Sequence, residues 1–392
     1  MKKLVIDFGT EEITVIKVEI KGKVYNVLSS DSLEINRYIN DSGTVDVRKV
    51  VDEIKDRLGK EATSLDINIV LPDYMTRVQY KETEKLEGLK PDDIKEPYGS
   101  KLTDKQIIHI GENGTDDITQ LVFYSKQVLS GFIKEMYKQK MNVTSAISNY
   151  SAYQNTMPLL QRDGEDSGSA GAKTRIMVMV GSHNIGCVVM FGNLPVYMKE
   201  TGVSLYDLYQ NIKEQANGLK FSEFMYRYIR TQPRSDFDIQ NPSKIHITQD
   251  NSEYEDVELT RDLFDSNLYE SDDTSAVEAG EHGDRVVNII TSEVSTLMGM
   301  VCKDVKEVVD YISDQYGGTV VEICTNSETA RRFFIKDLSD VYDVFSENEL
   351  AEYINVEGIE INLRKLNRKS LGLCGCIGSL ICDIKKGEDF YG

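Results

Sequence analysis

Few groups in this chain are placed to do chemistry. Asp7 follows the apolar run Leu4-Val5-Ile6 and precedes Gly9 and Thr10, so it stands at a strand end, as a functional carboxylate or as one that caps a turn. Three thiols, Cys374, Cys376 and Cys382, fall in LGLCGCIGSLIC. Spacing of i, i+2 on a helix points the first two to different faces, and no histidine is near, so packing is favoured over a zinc site. Gly372, Gly375 and Gly378 recur every third residue but follow no strand, which favours close helix packing over a nucleotide loop. His109, His183, His246 and His282 are far apart and give no ligand spacing; His183, in a Gly-Ser-His turn, reads as solvent-facing. No P-loop, HExxH or Ser-His-Asp arrangement is present.

These residues sit in a chain of 392 residues, 40% hydrophobic and 28% charged, with a net charge of −20. That is a globular composition, and its acidity excludes a binder of nucleic-acid phosphates and charge-driven docking on an anionic membrane. No signal peptide is expected, and six cysteines without a CxxC fit a reducing cytoplasm. Residues 2–30 and 173–201 share one plan: an apolar β-branched run, a Gly-bearing turn, a second run, a Gly turn (Gly22, Gly192) and a third. Two antiparallel three-strand meanders about 170 residues apart imply two related halves. Helices are expected over Val47–Leu58, 145–160 and 203–230, and over a long segment carrying Val294, Leu297, Val301, Val305, Val308 and Ile312 on one face. Strands are expected over Leu65–Leu71, 119–124 and Thr319–Cys324, a helix near 327–338, and a buried helix at LGLCGCIGSLI. Residues 249–284 hold thirteen Asp or Glu against one Arg, a solvated acidic surface.

The order of these elements resembles the actin-like ATPases, and in particular the type IV pilus assembly PilM family. The resemblance is carried by LVIDFGT, by the Val45–Leu58 helix followed by DINIVLP, by LVFYSKQVL, by the second meander, by the long helix into VVEICTN and by the terminal LGLCGCIGSLI. It implies an α/β, ribonuclease H-like two-lobed fold: a first lobe of residues 1–72 and 121–165, a small α+β subdomain inserted at 73–120, and a second lobe over 166–392 with an acidic insertion at about 235–285. It further implies a cytoplasmic scaffold, held at the inner face of the cell membrane by the N-terminal tail of a bitopic, membrane-anchored pilus assembly protein. Such a scaffold would contact other assembly-platform proteins and would not insert in the membrane itself. FtsA-type division proteins share this order. They usually end in an amphipathic membrane-binding helix, which is not expected after DIKKGEDFYG.

The same resemblance assigns a nucleotide site and departs from it. Asp7 would hold Mg²⁺ through water, with Gly9 and Thr10 on the phosphates; Gly181 and Ser182 would shape the second phosphate turn and Asn326 the adenine turn. However, Glu11 and Glu12 follow the first turn, where two carboxylates near a triphosphate would each cost on the order of 1–4 kcal/mol. Aligning VMVGSHN on the family pattern puts Met179 where the second metal-side Asp belongs. Ser148 falls where an acidic residue usually faces the γ-phosphate, and the adenine turn reads Cys324-Thr325-Asn326-Ser327 instead of a glycine run. The expectation is a degenerate site, with hydrolysis lost and tight binding of ATP and Mg²⁺ not retained. An active ATPase of the same fold is the alternative.

Overall fold

A computed structural model describes residues 1–90, 93–95, 104–112, 117–161, 174–192, 194–214, 218–230, 276–316, 320–325, 349–366 and 373–389. Its first strand, β1 (Lys2–Phe8), explains why LVIDF is almost continuously apolar. Leu4, Ile6 and Phe8 face one layer of helices and Val5 the other, so both sides of the strand are covered. β1 pairs antiparallel with β2 (Glu12–Lys21), which pairs antiparallel with β3 (Val24–Glu34). β4 (Asp66–Leu71) runs parallel to β1, and β8 (Asn142–Ser148) parallel to β4. Between them come α1 (Val47–Leu58) and α2 (Lys126–Lys138), which lay Val50, Val51, Ile54, Phe132 and Met136 on the Leu4–Ile6–Phe8 face. Asp46 and Ser125 cap these helices through their side chains. α3 (Asn149–Thr156) covers the other face. The helix expected over 145–160 is thus a strand, Asn142–Ser148, running into a shorter helix; a register partner in β4, distant in sequence, overrides the local pattern.

Between β4 and α2 the chain builds a separate sheet of β5 (Thr76–Glu82), β6 (Asp104–Glu112) and β7 (Asp117–Tyr124), in the order β5-β7-β6. Its middle strand extends to Tyr124, so the boundary expected at residue 120 cuts through β7.

The second lobe repeats the first meander as β10 (Thr174–Val180), β11 (Ile185–Phe191) and β12 (Leu194–Glu200), with β13 (Val320–Thr325) parallel to β10. Its core is closed by α4 (Leu205–Lys213), the short α5 (Phe221–Phe224) with the π-helical turns Met225–Arg230, and α6 (Ala276–Tyr316). Val294, Leu297, Val301, Val305, Val308 and Ile312 of α6 are all buried there. A capping box of Ser204 and Asp207 starts α4. The acidic stretch up to residue 275 and the helix expected at 327–338 lie outside the described residues; residues 276–285 are the start of α6.

After β14 (Glu349–Leu350), which pairs with β9 (Leu160–Gln161), the chain returns to the first lobe. β16 (Ile359–Asn362) adds parallel to β3, and β15 (Tyr353–Val356) forms the outer edge, giving a seven-stranded sheet β15-β16-β3-β2-β1-β4-β8. The final helix, α7 (Cys374–Asp389), is the buried helix expected at LGLCGCIGSLI, but it packs on the first-lobe sheet and across α3. A second lobe drawn as 166–392 is therefore too long: residues 353–366 and 373–389 belong to the first. At the crossing, a Cβ on Gly378 would lie 1.8 Å from the Ala152 carbonyl oxygen, so only glycine permits this approach. Val5 of the first lobe, Val122 of the inserted sheet, Met179 of the second lobe and Cys376 of α7 share one buried layer.

Candidate functional site

Both meanders turn through four residues between equivalent closing pairs. In the first lobe Phe8 pairs with Ile13 and Asp7 with Thr14; in the second Val180 pairs with Ile185 and Met179 with Gly186. Asp7 and Met179 therefore hold equivalent positions, as do Gly9 and Gly181, Thr10 and Ser182. A thioether thus stands where the first lobe carries a carboxylate. A thioether is a soft ligand and offers nothing to Mg²⁺ or its water shell. Met179 instead packs, 1% exposed, into the layer it shares with Cys374 and Ile377 of α7.

Asp7 is also buried, 2% exposed. Its Oδ2 lies 3.5 Å from the Tyr153 hydroxyl, which donates to it, and its Oδ1 has no hydrogen-bond partner. The first turn of α7 presses on it: a Cβ on Gly375 would come within 1.9 Å of Oδ2. Loss of water and the nearby charge of Glu12 push the Asp7 carboxyl up to about 7. Glu12 lies at the mouth of the same turn, where its carboxylate accepts from the hydroxyls of Ser32 and Thr14. Cys374 and Cys376 are near but inert: burial pushes the Cys374 thiol up to about 12 and Cys376 well above the usual thiol range, so neither supplies a thiolate. Among the described residues no group of three or more His, Cys, Asp and Glu side chains is arranged to hold a metal ion.

The second turn, Gly181-Ser182-His183-Asn184, has an occupant that the sequence did not announce. The Asp73 carboxylate, from the 3₁₀ turn Asp73–Met75 that follows β4, accepts from the Ser182 hydroxyl (3.0 Å), the His183 N–H (2.6 Å) and the Asn184 N–H (3.0 Å). Gly181 leaves it room: a Cβ there would lie 2.2 Å from Asp73 Oδ2. The Asn184 side-chain amide donates in return to the carbonyls of Asp73 (3.3 Å) and Thr76 (3.4 Å).

His183 is not the solvent-facing turn residue expected. Its ring stacks on Tyr206 of α4 (centroids 4.7 Å apart), meets Tyr74 edge-on (5.4 Å) and places Nε2 3.3 Å from the Ser42 carbonyl. The first-lobe loop closed by the Ile39–Val45 bridge folds over it, and Gly43, at φ +72°, has no room for a side chain against the imidazole. Ser148 caps α3, accepting from the Ser151 N–H at 3.0 Å, and does not stand free in the cleft.

Thr10 and Glu11 line a shallow crevice opposite Met225, Tyr226 and Ile229, with room for little more than a water molecule. Asn326 and the rest of the expected adenine turn beyond Thr325 lie outside the described residues. The structure thus gathers Asp7, Gly9 and Thr10 at one turn and Gly181 and Ser182 at its counterpart.

Across nearly its whole length the chain superposes on a chain of the PilM–PilN type IV pilus biogenesis complex, with a TM-score of 0.55, 96% of this chain and 97% of that one covered, at 11% sequence identity. The chain shares the fold of that one. Identity this low carries the fold and nothing finer. Looser likenesses link it to MreB5 of Spiroplasma citri bound to ADP (TM-score 0.40, 10% identity, 100% and 98% covered) and to the ethanolamine utilization protein EutJ of Carboxydothermus hydrogenoformans (0.35, 10%, 95% and 89%). No family model and no curated protein matches the sequence. None of the described helices is long and apolar enough to cross a membrane.

Proposed function

We propose that this protein is a cytoplasmic, actin-like scaffold in the assembly platform of a type IV pilus or a related secretion machine. Its partner is the N-terminal tail of a bitopic inner-membrane protein, which holds it at the inner face of the membrane. The observation that carries this reading is the full-length likeness to a chain of the PilM–PilN type IV pilus biogenesis complex. The proposed docking place is the groove beside the inserted sheet β5-β7-β6. There an extended peptide would add backbone hydrogen bonds to a strand edge and seat one or two apolar side chains. The test is co-purification from membranes, followed by titration with a synthetic tail of the captured bitopic protein. Saturable binding at micromolar concentration is expected, and recovery without any membrane-anchored partner contradicts the proposal.

We infer that the nucleotide site does not work as an ATPase. Three features support this. Met179 replaces the carboxylate equivalent to Asp7. α7 lies against the Asp7 carboxyl through Gly375. The second phosphate turn is filled by Asp73. The residues present do not fit a hydrated Mg²⁺ and a triphosphate, and no catalytic step is assigned to them.

A further inference from the structure

We propose that the Asp73 carboxylate is a resident anion in the second lobe's hairpin turn: it holds the turn ordered, latches that lobe to the base of the inserted sheet and keeps phosphate out. This rests on the reading that the site is not a working ATPase, and it adds what stands in the phosphate's place. Successive backbone N–H groups that converge on one point make an anion-binding concavity. Here the N–H groups of His183 and Asn184 converge on Asp73 Oδ2 at 2.6 and 3.0 Å, and the Ser182 hydroxyl reaches Oδ1 at 3.0 Å. Three donors on one buried carboxylate form a charge-assisted set stronger than neutral hydrogen bonds. Asp73 is 5% exposed and Gly181 has no Cβ in its way, so the fit is steric as well as polar.

The carboxylate is also the centre of the contacts between lobes on this side. Arg77, four residues on, donates to the Asp73 carbonyl (3.1 Å) and to the His183 carbonyl (3.3 Å), and lies 3.9 Å from Glu200 of β12. Asn184 reaches back to Asp73 and Thr76, and Tyr206 donates to the Asp41 carbonyl at 3.5 Å. The chain that leaves β4 thus delivers a negative group into a turn of the other lobe, and a phosphoryl group could enter that turn only by displacing it.

The experiment is hydrogen exchange of the full chain, wild type against Asp73→Ala and Asp73→Asn, with and without inorganic pyrophosphate at millimolar concentration. Amides of β1 serve as an internal reference for global opening. The expected result is at least tenfold faster exchange of the His183 and Asn184 amides in Asp73→Ala, with the β1 amides unchanged. Pyrophosphate should slow that exchange in the variant and leave the wild type unaffected. If Asp73→Ala loses the reference protection as well, Asp73→Asn decides, since it keeps the shape and removes the charge. Exchange at 183 and 184 within twofold of wild type in the folded variant overturns the latch. Pyrophosphate acting equally on both proteins, or on neither, overturns the resident anion. Titration of the wild type with Mg-ATP is read separately: binding there sinks the inactive-site reading and leaves the exchange comparison standing on its own.

Discussion

Replacing Asp7 by Asn should make the protein more stable at neutral pH, and by an amount that grows with pH. The wild-type carboxyl is buried, has no partner on Oδ1, and is raised from 3.8 to about 7, first by desolvation and then by Glu12. A group whose folded pKa exceeds its unfolded value binds its proton more tightly in the folded state. Folding is therefore unpenalised below about pH 4 and loses stability progressively as pH rises toward 7. A rise of about three pH units at 1.36 kcal/mol each sets an upper figure of about 4 kcal/mol, and relaxation of the site brings the expected penalty to about 2–4 kcal/mol at pH 8. Asn keeps the shape and carries no charge, so it avoids the penalty. Urea unfolding of both proteins at pH 5, 6, 7 and 8 measures the difference, in which every other titration common to the two cancels. The gap should be about 1.5 kcal/mol at pH 5 and widen to about 2–4 kcal/mol at pH 8. It should narrow when Glu12→Gln is added to the wild type, because that removes the second cause of the shift. A gap that does not change with pH, or that favours the wild type as pH rises, refutes the reasoning. A flat gap would mean that Asp7 titrates alike folded and unfolded, and one that favours the wild type as pH rises would mean that a nearby cation holds it ionised.

Other substitutions separate packing from chemistry. Gly378→Ala drives a methyl into the Ala152 carbonyl where α3 and α7 cross, and should cost about 3 kcal/mol or more in urea unfolding. Gly131→Ala in α2, where a Cβ meets nothing within 4 Å, should instead stabilise by about 0.5–1 kcal/mol. Met179→Asp restores the residue type of an active site but buries a carboxylate in an apolar layer. It should lose about 3 kcal/mol or more at pH 8, less at pH 5, and gain no phosphate release. Tyr80→Phe removes a hydroxyl that donates to Gln154 and accepts from Gln120 at 3.2 Å in the buried contact between the inserted sheet and α3. Calorimetric unfolding should register a loss of about 1–3 kcal/mol.

What could be read from the residues follows from how local the determinants are. The two meanders are encoded strand by strand, in β-branched runs broken by glycine turns, so even the equivalence of Asp7 with Met179 could be read without coordinates. The first half of α7, CGCIGSLIC, is legible because its small and apolar residues leave no polar face. Residues 145–148 read as helix in the sequence because their strand pairing is with β4, seventy-odd residues earlier. The return of β15 and β16 to the first sheet depends on pairing with β3, more than three hundred residues away, which no local pattern reports. Asp73 was passed over for the same kind of reason. An Asp after a proline at a strand end reads as a turn residue, and nothing near it in the chain names Ser182, His183 and Asn184 as its partners. His183 reads as exposed in the sequence because the loop and the tyrosine that enclose it come from either side of the cleft.

Isothermal titration of the full chain with Mg-ATP, paired with a phosphate-release assay on the same sample, tests the inert cleft most directly. No saturable heat into the millimolar range and no phosphate released above buffer are expected. Micromolar binding accompanied by turnover would contradict it.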